Sequence, residues 1–407
     1  MGLMLKPGDI AIVSGARTPF GRYCGKIKDY TAQELGAVAA MAAIARAGND
    51  GAGVDPKEID HVVFGNAQQT TGDALYGARH VGLRAGVPIE TPALTVNRLC
   101  GSGMQAIVSA AQMIQTDDAK IVLAGGMEAM SQAPFSIRGR DGFTLVPGGK
   151  LEDSLMVALL DSYCGMQMAS TAELYAEQQG ITRVAQDELA LRSQQKADEA
   201  YKAGRIQEEL TPVPLRNSKG EATGEQLTED DHRRPQTTME GLAKLRASFG
   251  KNGTVTAGNA SGIVDGGAAV IVMSLEEVQK RNLKPLGRIV NWGIAGVDPR
   301  IMGSGPVPAT KAALQRAGMT LDSIDLIEVN EAFAAQYLAV EKELGLDREK
   351  VNVNGGAIAL GHPLGATGTR LVITLLYELR RRKKKYGLAT ACIGGGQGIA
   401  MVVESFQ

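Results

Sequence analysis

A junction between a predicted strand and a predicted helix decides the fold: Asn97-Arg98-Leu99-Cys100-Gly101-Ser102-Gly103. Cys100 lies at or just before the helix N-terminus, where unpaired N–H groups and the helix dipole favour a thiolate over a thiol. The alternative is a buried structural cysteine, because free cysteines are among the most buried residues, and this stretch alone leaves both open. The helix is predicted by an apolar stripe on one face: Met104, Ile107, Val108, Ala111 and Ile114.

Composition and charge narrow the class of protein. The chain has 407 residues, too many for one ordinary core, so two or three domains are expected. Hydrophobic residues make up 44% and glycines number 51, which fits an α/β protein with tight strand-to-helix turns. The net charge of −1 argues against nucleic acid or an anionic membrane as the main partner. No apolar run is long enough to span a bilayer, so no membrane span is expected.

The cysteines predict a reducing compartment. Cys24, Cys100, Cys164 and Cys392 are scattered, with no CxxC pair and no zinc-like spacing, so no metal site is expected. The N-terminal stretch is too short for a signal peptide. The default expectation is therefore a cytoplasmic protein with free thiols.

The same order of elements occurs twice along the chain, which predicts two similar α/β halves. Chance similarity of two βαβ layouts is the alternative, and the matching order of four elements argues against it. We therefore assign the first half to residues 1–129 plus 264–285 and the second half to residues 286–407. The matching strands are predicted at residues 59–67 and 324–332, at 96–97 and 353–354, and at 120–128 and 388–396.

The middle of the chain, residues 130–263, has no counterpart and is predicted to be an inserted loop domain. Helical patterns occur at residues 168–179 and 184–202. Residues 211–236 are rich in proline, glycine and charge, which is typical of a surface loop or lid. The small residues at 253–262 indicate either close backbone approach to a ligand or a tight packing crossover.

Four polar residues follow predicted strands or lie in the loops beside them: Cys100, Asn330, His362 and Cys392. In an α/β fold, the carboxyl ends of the strands face the crevice where ligands bind. A thiol beside an imidazole suits nucleophilic catalysis, and a second thiol can carry a proton. The alternatives are a structural histidine at position 362 and a buried core thiol at position 392.

With these motifs the chain resembles the thiolases, a family of acetyl-CoA acetyltransferases and 3-ketoacyl-CoA thiolases. The resemblance covers essentially the whole chain. It implies duplicated five-layered α/β/α/β/α halves with an inserted loop domain, and a homotetramer built as a dimer of dimers. It also implies acetyl-CoA, other acyl-CoA and CoA as substrates, with no cofactor and no metal. The stretches that carry it are residues 97–103, 258–262 (Gly-Asn-Ala-Ser-Gly), 330–333 (Asn-Glu-Ala-Phe), 355–363 (Gly-Gly-Ala-Ile-Ala-Leu-Gly-His-Pro) and 392–396 (Cys-Ile-Gly-Gly-Gly).

The resemblance further implies a role for each matching residue. Cys100 takes the acyl group, and His362 deprotonates Cys100 and helps to bind the thioester oxygen. Asn330 is similar to the residue that holds a water for that same oxyanion site, and Cys392 moves the α-proton. The N–H groups of Cys100 and Gly394 form the second oxyanion hole. Positions implied to contact the substrate are Met168, Arg234, Phe249, Ala257, Ser261 and Phe333.

The expected reaction is reversible Claisen condensation and thiolysis through a Cys100 acyl-enzyme. Its substrates are two acetyl-CoA, giving acetoacetyl-CoA and CoA, or longer 3-ketoacyl-CoA. A β-ketoacyl synthase shares the fold but resembles Cys-His-His, where this chain has Cys392. A non-catalytic CoA- or lipid-binding protein of this fold would be expected to lack at least one of the four site residues. Residues 131–135 and 395–398 look closer to degradative, mitochondrial-type 3-ketoacyl-CoA thiolases, but direction and chain length are left open.

Overall fold

The computed structural model describes residue 6 and residues 9–48, 54–137, 151–248 and 253–406. Its helices are α1 (Ala32–Arg46), α2 (Gly77–Arg84), α3 (Ser102–Gln115), α4 (Ser154–Ala158), α5 (Met168–Gln179), α6 (Arg183–Lys202), α7 (Met239–Ala243), α8 (Leu275–Lys280), α9 (Pro306–Ala317), α10 (Ala334–Leu344), α11 (Ala357–Leu360) and α12 (Leu364–Arg382). Its strands are β1 (Ile10–Arg17), β2 (Gly21–Arg22), β3 (His61–Gly65), β4 (Ala93–Val96), β5 (Ile121–Glu128), β6 (Phe135–Ser136), β7 (Glu152–Asp153), β8 (Leu160–Asp161), β9 (Met166–Gln167), β10 (Val213–Arg216), β11 (Ala222–Leu227), β12 (Val264–Ser274), β13 (Gly287–Gly296), β14 (Leu326–Val329), β15 (Tyr386–Ile393) and β16 (Gln397–Ser405). Among these residues, no helix combines the length and apolarity needed to cross a membrane.

The main sheet repeats one strand pattern in mirror order. Its strands run β4-β3-β5-β12-β1-β13-β16-β15-β14, and β1 meets β13 in a short antiparallel pairing. In both halves a parallel pair, β3–β5 or β14–β15, is followed by an antiparallel strand, β12 or β16. A parallel bridge between Ile327 and Val351 stands where the first half has β4. The predicted duplication is therefore confirmed in the strand order itself.

Three apolar cores separate the layers. One core joins α3 and α12 to strands of both halves, so these two helices form a central layer between the halves of the sheet. A second core packs α1 and α2 on the other face of the first half. A third core packs α9 and α10 on the other face of the second half. The expected five-layered α/β/α/β/α arrangement follows, and the helix predicted from its apolar stripe is α3.

The two central helices touch at their N-termini through glycines. A Cβ built on Gly103 would lie 2.6 Å from Thr369 Oγ1 and 2.7 Å from the carbonyl oxygen of Gly365. A Cβ on Gly368 would overlap the backbone nitrogen of Met104. Any side chain there would force the helices apart, and with them the residues that immediately precede each helix.

Part of the insertion differs from the expected surface loop. Within residues 211–236, β10 and β11 form an antiparallel hairpin. Val213, Leu215 and Leu227 of this hairpin are buried against Ile27, Tyr30 and Leu35 of the first half. Val213 and Leu215 alternate with more exposed residues as in a strand, but the tip of the hairpin is polar and five of the six residues of β11 are exposed. The apolar signal in the sequence is therefore weak. The helix predicted at residues 168–179 is α5, with the same bounds, and the pattern at 184–202 lies in α6.

We predict that Gly368→Ala destabilises the protein, although alanine in a helix is favoured by about 1 kcal/mol over glycine. The added methyl group overlaps the Met104 backbone, and overpacking of this kind costs about 3 kcal/mol. Thermal or urea unfolding measures the loss. Gly72→Ala is the control, since a Cβ there meets nothing within 4 Å, and it should stay within about 0.5 kcal/mol of the parent. Equal stability of both variants would contradict the glycine contact.

Candidate active site

The predicted site residues gather around one cavity of about 960 Å3. Asn330 lies behind its wall and contacts His362, whereas Phe249 lies outside the described residues. The structure therefore brings together residues from both halves and from the insertion. The predicted residues on the cavity wall are Cys100, Met168, Arg234, Ala257, Ser261, Phe333, His362, Cys392 and Gly394.

Cys100 lies in a tight turn directly before α3, as its sequence position predicts. The preceding residue, Leu99, has a left-handed backbone with φ of 45°, which is uncommon for a residue with a side chain. Two side chains hold that turn: the Leu99 N–H donates to Asn97 Oδ1 (2.9 Å), and the Ser102 hydroxyl donates to the Leu99 carbonyl (2.7 Å). Such conformations persist only where their surroundings enforce them, and they cluster at functional sites.

The helix start at Cys100 does not by itself produce a thiolate, because burial of the sulfur acts against it. Burial of the sulfur raises the pKa of Cys100 to about 11, and it outweighs the N–H groups of Gly394 and Cys100, which lower it. The negative charge of Glu128 raises the pKa of Cys100 further. The helix start therefore supplies hydrogen-bond donors near the sulfur, but Cys100 rests as a neutral thiol that needs a base.

His362 is neutral, and its hydrogen bonds define which ring nitrogen carries the proton. Its Nδ1 lies 2.6 Å from the hydroxyl of Thr367, and that hydroxyl donates to the Pro363 carbonyl at 3.0 Å. Because the Thr367 proton is thus engaged, we assign the ring proton to Nδ1 and the lone pair to Nε2. Burial, and then the charge of Arg370, lower the pKa of His362 to about 3. The imidazole is therefore uncharged and able to accept a proton at Nε2.

Asn330 supports the histidine from the end of β14. Its Nδ2 lies 3.3 Å from His362 Nε2, and its backbone N–H donates to the Thr390 carbonyl at 2.9 Å. Within the described part of the chain, Asn330 Oδ1 is buried and has no hydrogen-bond partner. A buried acceptor of this kind is costly unless a water or ligand binds it. The neighbouring Glu331 fixes the loop before His362 by accepting the backbone N–H of Ile358 at 3.2 Å.

Cys392 is fully buried near the carboxyl end of β15. It packs with Met302 and Ala332, and Met168 and Phe333 lie against the same cluster. Burial, and then the charge of Cys100, hold the pKa of Cys392 well above its ordinary value. Cys100 and Cys392 line the same cavity, and the raised pKa of each thiol means that both are protonated at rest.

One part of the cavity wall carries Arg22, His232, Arg233 and Arg234, and we call it the basic mouth. The family resemblance implied Arg234 as a contact there, and Arg22, His232 and Arg233 also line the wall. Arg233 is engaged, since its guanidinium stacks 3.5 Å above the ring of Tyr201 and pairs with a carboxylate of the same segment. Burial and the charge of Arg234 lower the pKa of His232 to about 4, so this ring is neutral. No spacing rule linked residue 22 to residues 232–234, because only the folded chain brings them together.

A buried ion pair fixes the basic mouth to the first half. Arg17 donates to both carboxylate oxygens of Asp230, at 2.7 and 2.9 Å. Asp230 Oδ1 also accepts the backbone N–H of Phe20 at 2.7 Å. The residues that immediately follow Asp230 are therefore held at the cavity rather than left on a mobile loop.

The chain matches two domain models of one family. The model for the N-terminal domain of thiolases matches residues 10–276, and the model for the C-terminal domain matches residues 283–405. The chain belongs to the thiolase family. It is 53% identical over 397 residues to the mitochondrial 3-ketoacyl-CoA thiolase of Homo sapiens, covering 97% of this chain and 98% of that protein.

Two further relatives agree with this assignment. An acetyl-CoA acetyltransferase of Cupriavidus necator is 48% identical over 398 residues, covering 97% of this chain and 99% of that protein. The crystal structure of human mitochondrial 3-ketoacyl-CoA thiolase in complex with CoA matches with a TM-score of 0.93 and 51% identity, covering 98% of both chains. These similarities support the thiolase reaction, and they support neither a β-ketoacyl synthase nor a non-catalytic binding protein.

The site of this thiolase contains a neutral thiol, a neutral imidazole, a second thiol and main-chain N–H donors. Together these groups can transfer an acyl group and move a proton without any preformed charge at the sulfur. In the part of the chain that the structure describes, no cluster of three or more His, Cys, Asp or Glu side chains is arranged to hold a metal ion.

We predict that alkylation of Cys100 by iodoacetamide accelerates steadily with pH. Since the pKa of this thiol is about 11, the thiolate fraction and the rate should rise about tenfold per pH unit from about pH 7 to 10. Peptide mapping after timed labelling measures the rate for each cysteine. A rate that is already constant between about pH 6 and 8 would instead indicate a preformed thiolate–imidazolium pair.

Proposed function

We propose that this thiolase forms and cleaves 3-ketoacyl-CoA through an acyl group carried on Cys100. The observation that carries the proposal is that His362, whose Nδ1 meets the Thr367 hydroxyl, lines the same cavity as Cys100 and Gly394. A buried thiol of raised pKa is a poor nucleophile until a base removes its proton. His362 has the protonation state to do so.

In the first step of thiolysis, His362 Nε2 takes the Cys100 proton as the sulfur attacks the 3-keto carbonyl carbon. The backbone N–H groups of Cys100 and Gly394 receive the developing oxyanion, and one such donor is typically worth about 3 kcal/mol. The bond between C2 and C3 then breaks, leaving an acyl group on Cys100 and the enolate of acetyl-CoA.

In the second step, Cys392 donates its proton to the enolate carbon and completes acetyl-CoA. His362 and a water bound by Asn330 Oδ1 stabilise the enolate oxygen, which fits the unpartnered acceptor at that position. CoA then attacks the acyl–Cys100 carbonyl and gives its thiol proton to the Cys392 thiolate. The bond between the acyl carbon and Cys100 breaks, and the departing Cys100 thiolate takes back the proton held by His362. Condensation runs the same steps in reverse, with the Cys392 thiolate removing the α-proton.

We predict that Cys392→Ala separates acyl transfer from proton transfer. This variant should still acetylate Cys100, but condensation and the exchange of acetyl-CoA α-protons with deuterated solvent should fall by about 10²–10⁴-fold. His362→Asn should instead slow acetylation of Cys100 itself. The acetyl-enzyme burst and the deuterium exchange rate are measured for each variant.

The matched control for that experiment is Cys164→Ala, which removes a thiol that does not line the cavity. It should behave like the parent in both measurements. If Cys392→Ala exchanges α-protons at the parental rate, Cys392 is a packing residue and the proposed second step is wrong. If acetyl-CoA does not acetylate Cys100 in the parent, the whole proposal is wrong.

We also propose that acyl-CoA binds with its phosphates at the basic mouth and its acyl group beside Cys100. The exposed Arg234 side chain supports the first part, since its segment is anchored by a 2.8 Å hydrogen bond from the Arg234 N–H to Gln194. The apolar cluster of Met130, Leu155 and Leu364 packs against Cys100 and supports the placement of the acyl group there. Both acetyl and longer acyl groups are therefore proposed as substrates.

We predict that Arg234→Ala raises KM for acetoacetyl-CoA by about tenfold and leaves kcat nearly unchanged, because a hydrogen bond to a charged group contributes about 1.5–3 kcal/mol. Steady-state kinetics at low and high salt measures the effect, which salt should reduce. Lys219→Ala in the exposed hairpin removes the same charge away from the cavity and should leave KM unchanged. Unchanged KM for Arg234→Ala would rule out the phosphate contact.

The oligomeric state proposed for this thiolase is a homotetramer. A dimer of dimers needs two different self-complementary surfaces. Among the described residues, the edge strand β4 pairs only with β3. It lies in a region with the exposed Leu75 and Tyr76, which supports one of these surfaces. The insertion supports the other, since Leu160 and Tyr163 are exposed there.

For its compartment and partners we keep the expectations of a cytoplasmic enzyme with no resident cofactor and no nucleic-acid partner. Four free thiols fit a reducing compartment. The basic residues at 380–385 are partly engaged by acidic side chains, since Arg381 pairs with Glu208 and Lys385 with Glu404. That pairing leaves less positive charge for a nucleic acid.

A further inference from the structure

Glu128 is a buried carboxylate that accepts hydrogen bonds from both halves of the molecule. Its Oε1 accepts from Asn66 Nδ2 at 2.8 Å and from the Gln68 N–H at 3.0 Å. Its Oε2 accepts from the Ala67 N–H at 3.1 Å and from the Gly365 N–H at 2.8 Å. The first three donors belong to the loop after β3, and the fourth belongs to the first turn of α12.

Two of these contacts lead toward the reacting groups. Ala67, whose N–H binds Glu128, accepts a 3.0 Å hydrogen bond at its carbonyl from Asn97 Nδ2. Asn97 Oδ1 in turn accepts a 2.9 Å hydrogen bond from the N–H of Leu99, which precedes Cys100. On the other side, Gly365 lies three residues after His362, at the start of the helix that carries Thr367.

The four hydrogen-bond partners of Glu128 require its carboxylate to be ionised. All of them are donors, two on each oxygen, so a proton on either oxygen would face an N–H group. The surroundings oppose that charge: burial raises the pKa of Glu128 to about 7, and the nearby Asp265 carboxylate raises it further. The hydrogen bonds can therefore all form only in the ionised state, in a place where burial makes a charge costly.

We propose that Glu128 is a positioning residue that ties the Cys100 loop and the His362 helix to one carboxylate, and so sets the relative placement of thiol and imidazole. The inference rests on the proposed function of Cys100 as acyl acceptor. Glu128 does not line the cavity and touches no substrate in this assignment. Its effect passes through Ala67 and Asn97 on one side and through Gly365 on the other.

Two variants separate the effect of the charge of Glu128 from the effect of its side-chain length. Glu128→Gln keeps the length but turns an NH2 group toward two donors, so it cannot hold both loops. Glu128→Asp keeps the charge but is one methylene too short to bind the 66–68 loop and Gly365 together. Both should lower kcat for acetoacetyl-CoA thiolysis by about 10²-fold with KM within about threefold, because small misplacements of reacting groups have effects of this size.

The reactivity of Cys100 toward iodoacetamide gives a second readout, which a general loss of stability would not produce. Removing the negative charge in Glu128→Gln should shift the alkylation profile to lower pH, so that the thiol becomes more reactive while acyl transfer becomes slower. Glu128→Asp should keep the parental profile. Asp60→Asn is the matched control, since Asp60 precedes the same strand, β3, and its carboxylate accepts the N–H groups of Lys120 and Ile121, away from both reacting loops. It should leave kcat and the alkylation profile unchanged.

Two outcomes would overturn the positioning role. One is a kcat within about threefold of the parent for both Glu128 variants. The other is a loss of CoA binding, measured by calorimetry, that parallels the loss of kcat in both, since that would indicate general unfolding. Acetylation of parental Cys100, followed by mass spectrometry, tests the proposed function separately, so that failure of one proposal is distinguishable from failure of the other.

Discussion

The close contact between the N-termini of α3 and α12 is the constraint on which the rest of the structure depends. Gly103 and Gly368 let the helices approach until backbone touches backbone, and no side chain fits between them. Each helix start follows a loop that carries one reacting group, Cys100 in the first half and His362 in the second. Because the helices are fixed at this point, the two loops are held against each other, and the cavity forms where they meet.

Burial near this contact changes the protonation of the reacting groups. His362 and Cys392 are buried and Cys100 is partly buried, so the neutral form of each is favoured. The pKa values of Cys100 and Cys392 are raised, and that of His362 is lowered. A resting thiolate–imidazolium pair would require two buried charges, whose desolvation can exceed their mutual attraction. Charge instead develops at the site only during the reaction, on the substrate oxygen. The backbone N–H donors that stabilise this oxyanion are already in place.

The sequence predicted those parts of the fold and site that depend on local pattern. The apolar stripe of α3, the bounds of α5 and the duplicated order of strands are periodic signals, and each matches the structure. The family motifs likewise placed Cys100, His362 and Cys392 at one cavity.

The sequence could not predict contacts that join distant segments, or the protonation that follows from burial. Glu128 looks like any acidic residue at a strand end, and its meeting with Gly365 depends on how the two halves pack. Arg17 and Asp230 are 213 residues apart and show no shared pattern before folding. The helix dipole at Cys100 could be inferred from the sequence, but the desolvation that outweighs it could not, since it depends on every side chain around the sulfur.

Duplication also explains how one structural motif supports two different chemical roles. At equivalent helix starts, Ser102 and Thr367 each turn a hydroxyl back to a carbonyl of the preceding loop, Leu99 in one half and Pro363 in the other. In the first half this bond supports the turn that presents Cys100. In the second half the same kind of hydroxyl also meets His362 Nδ1 and fixes which ring nitrogen holds the proton. The shared geometry positions both loops, and the residue that each loop carries makes one a nucleophile and the other a base.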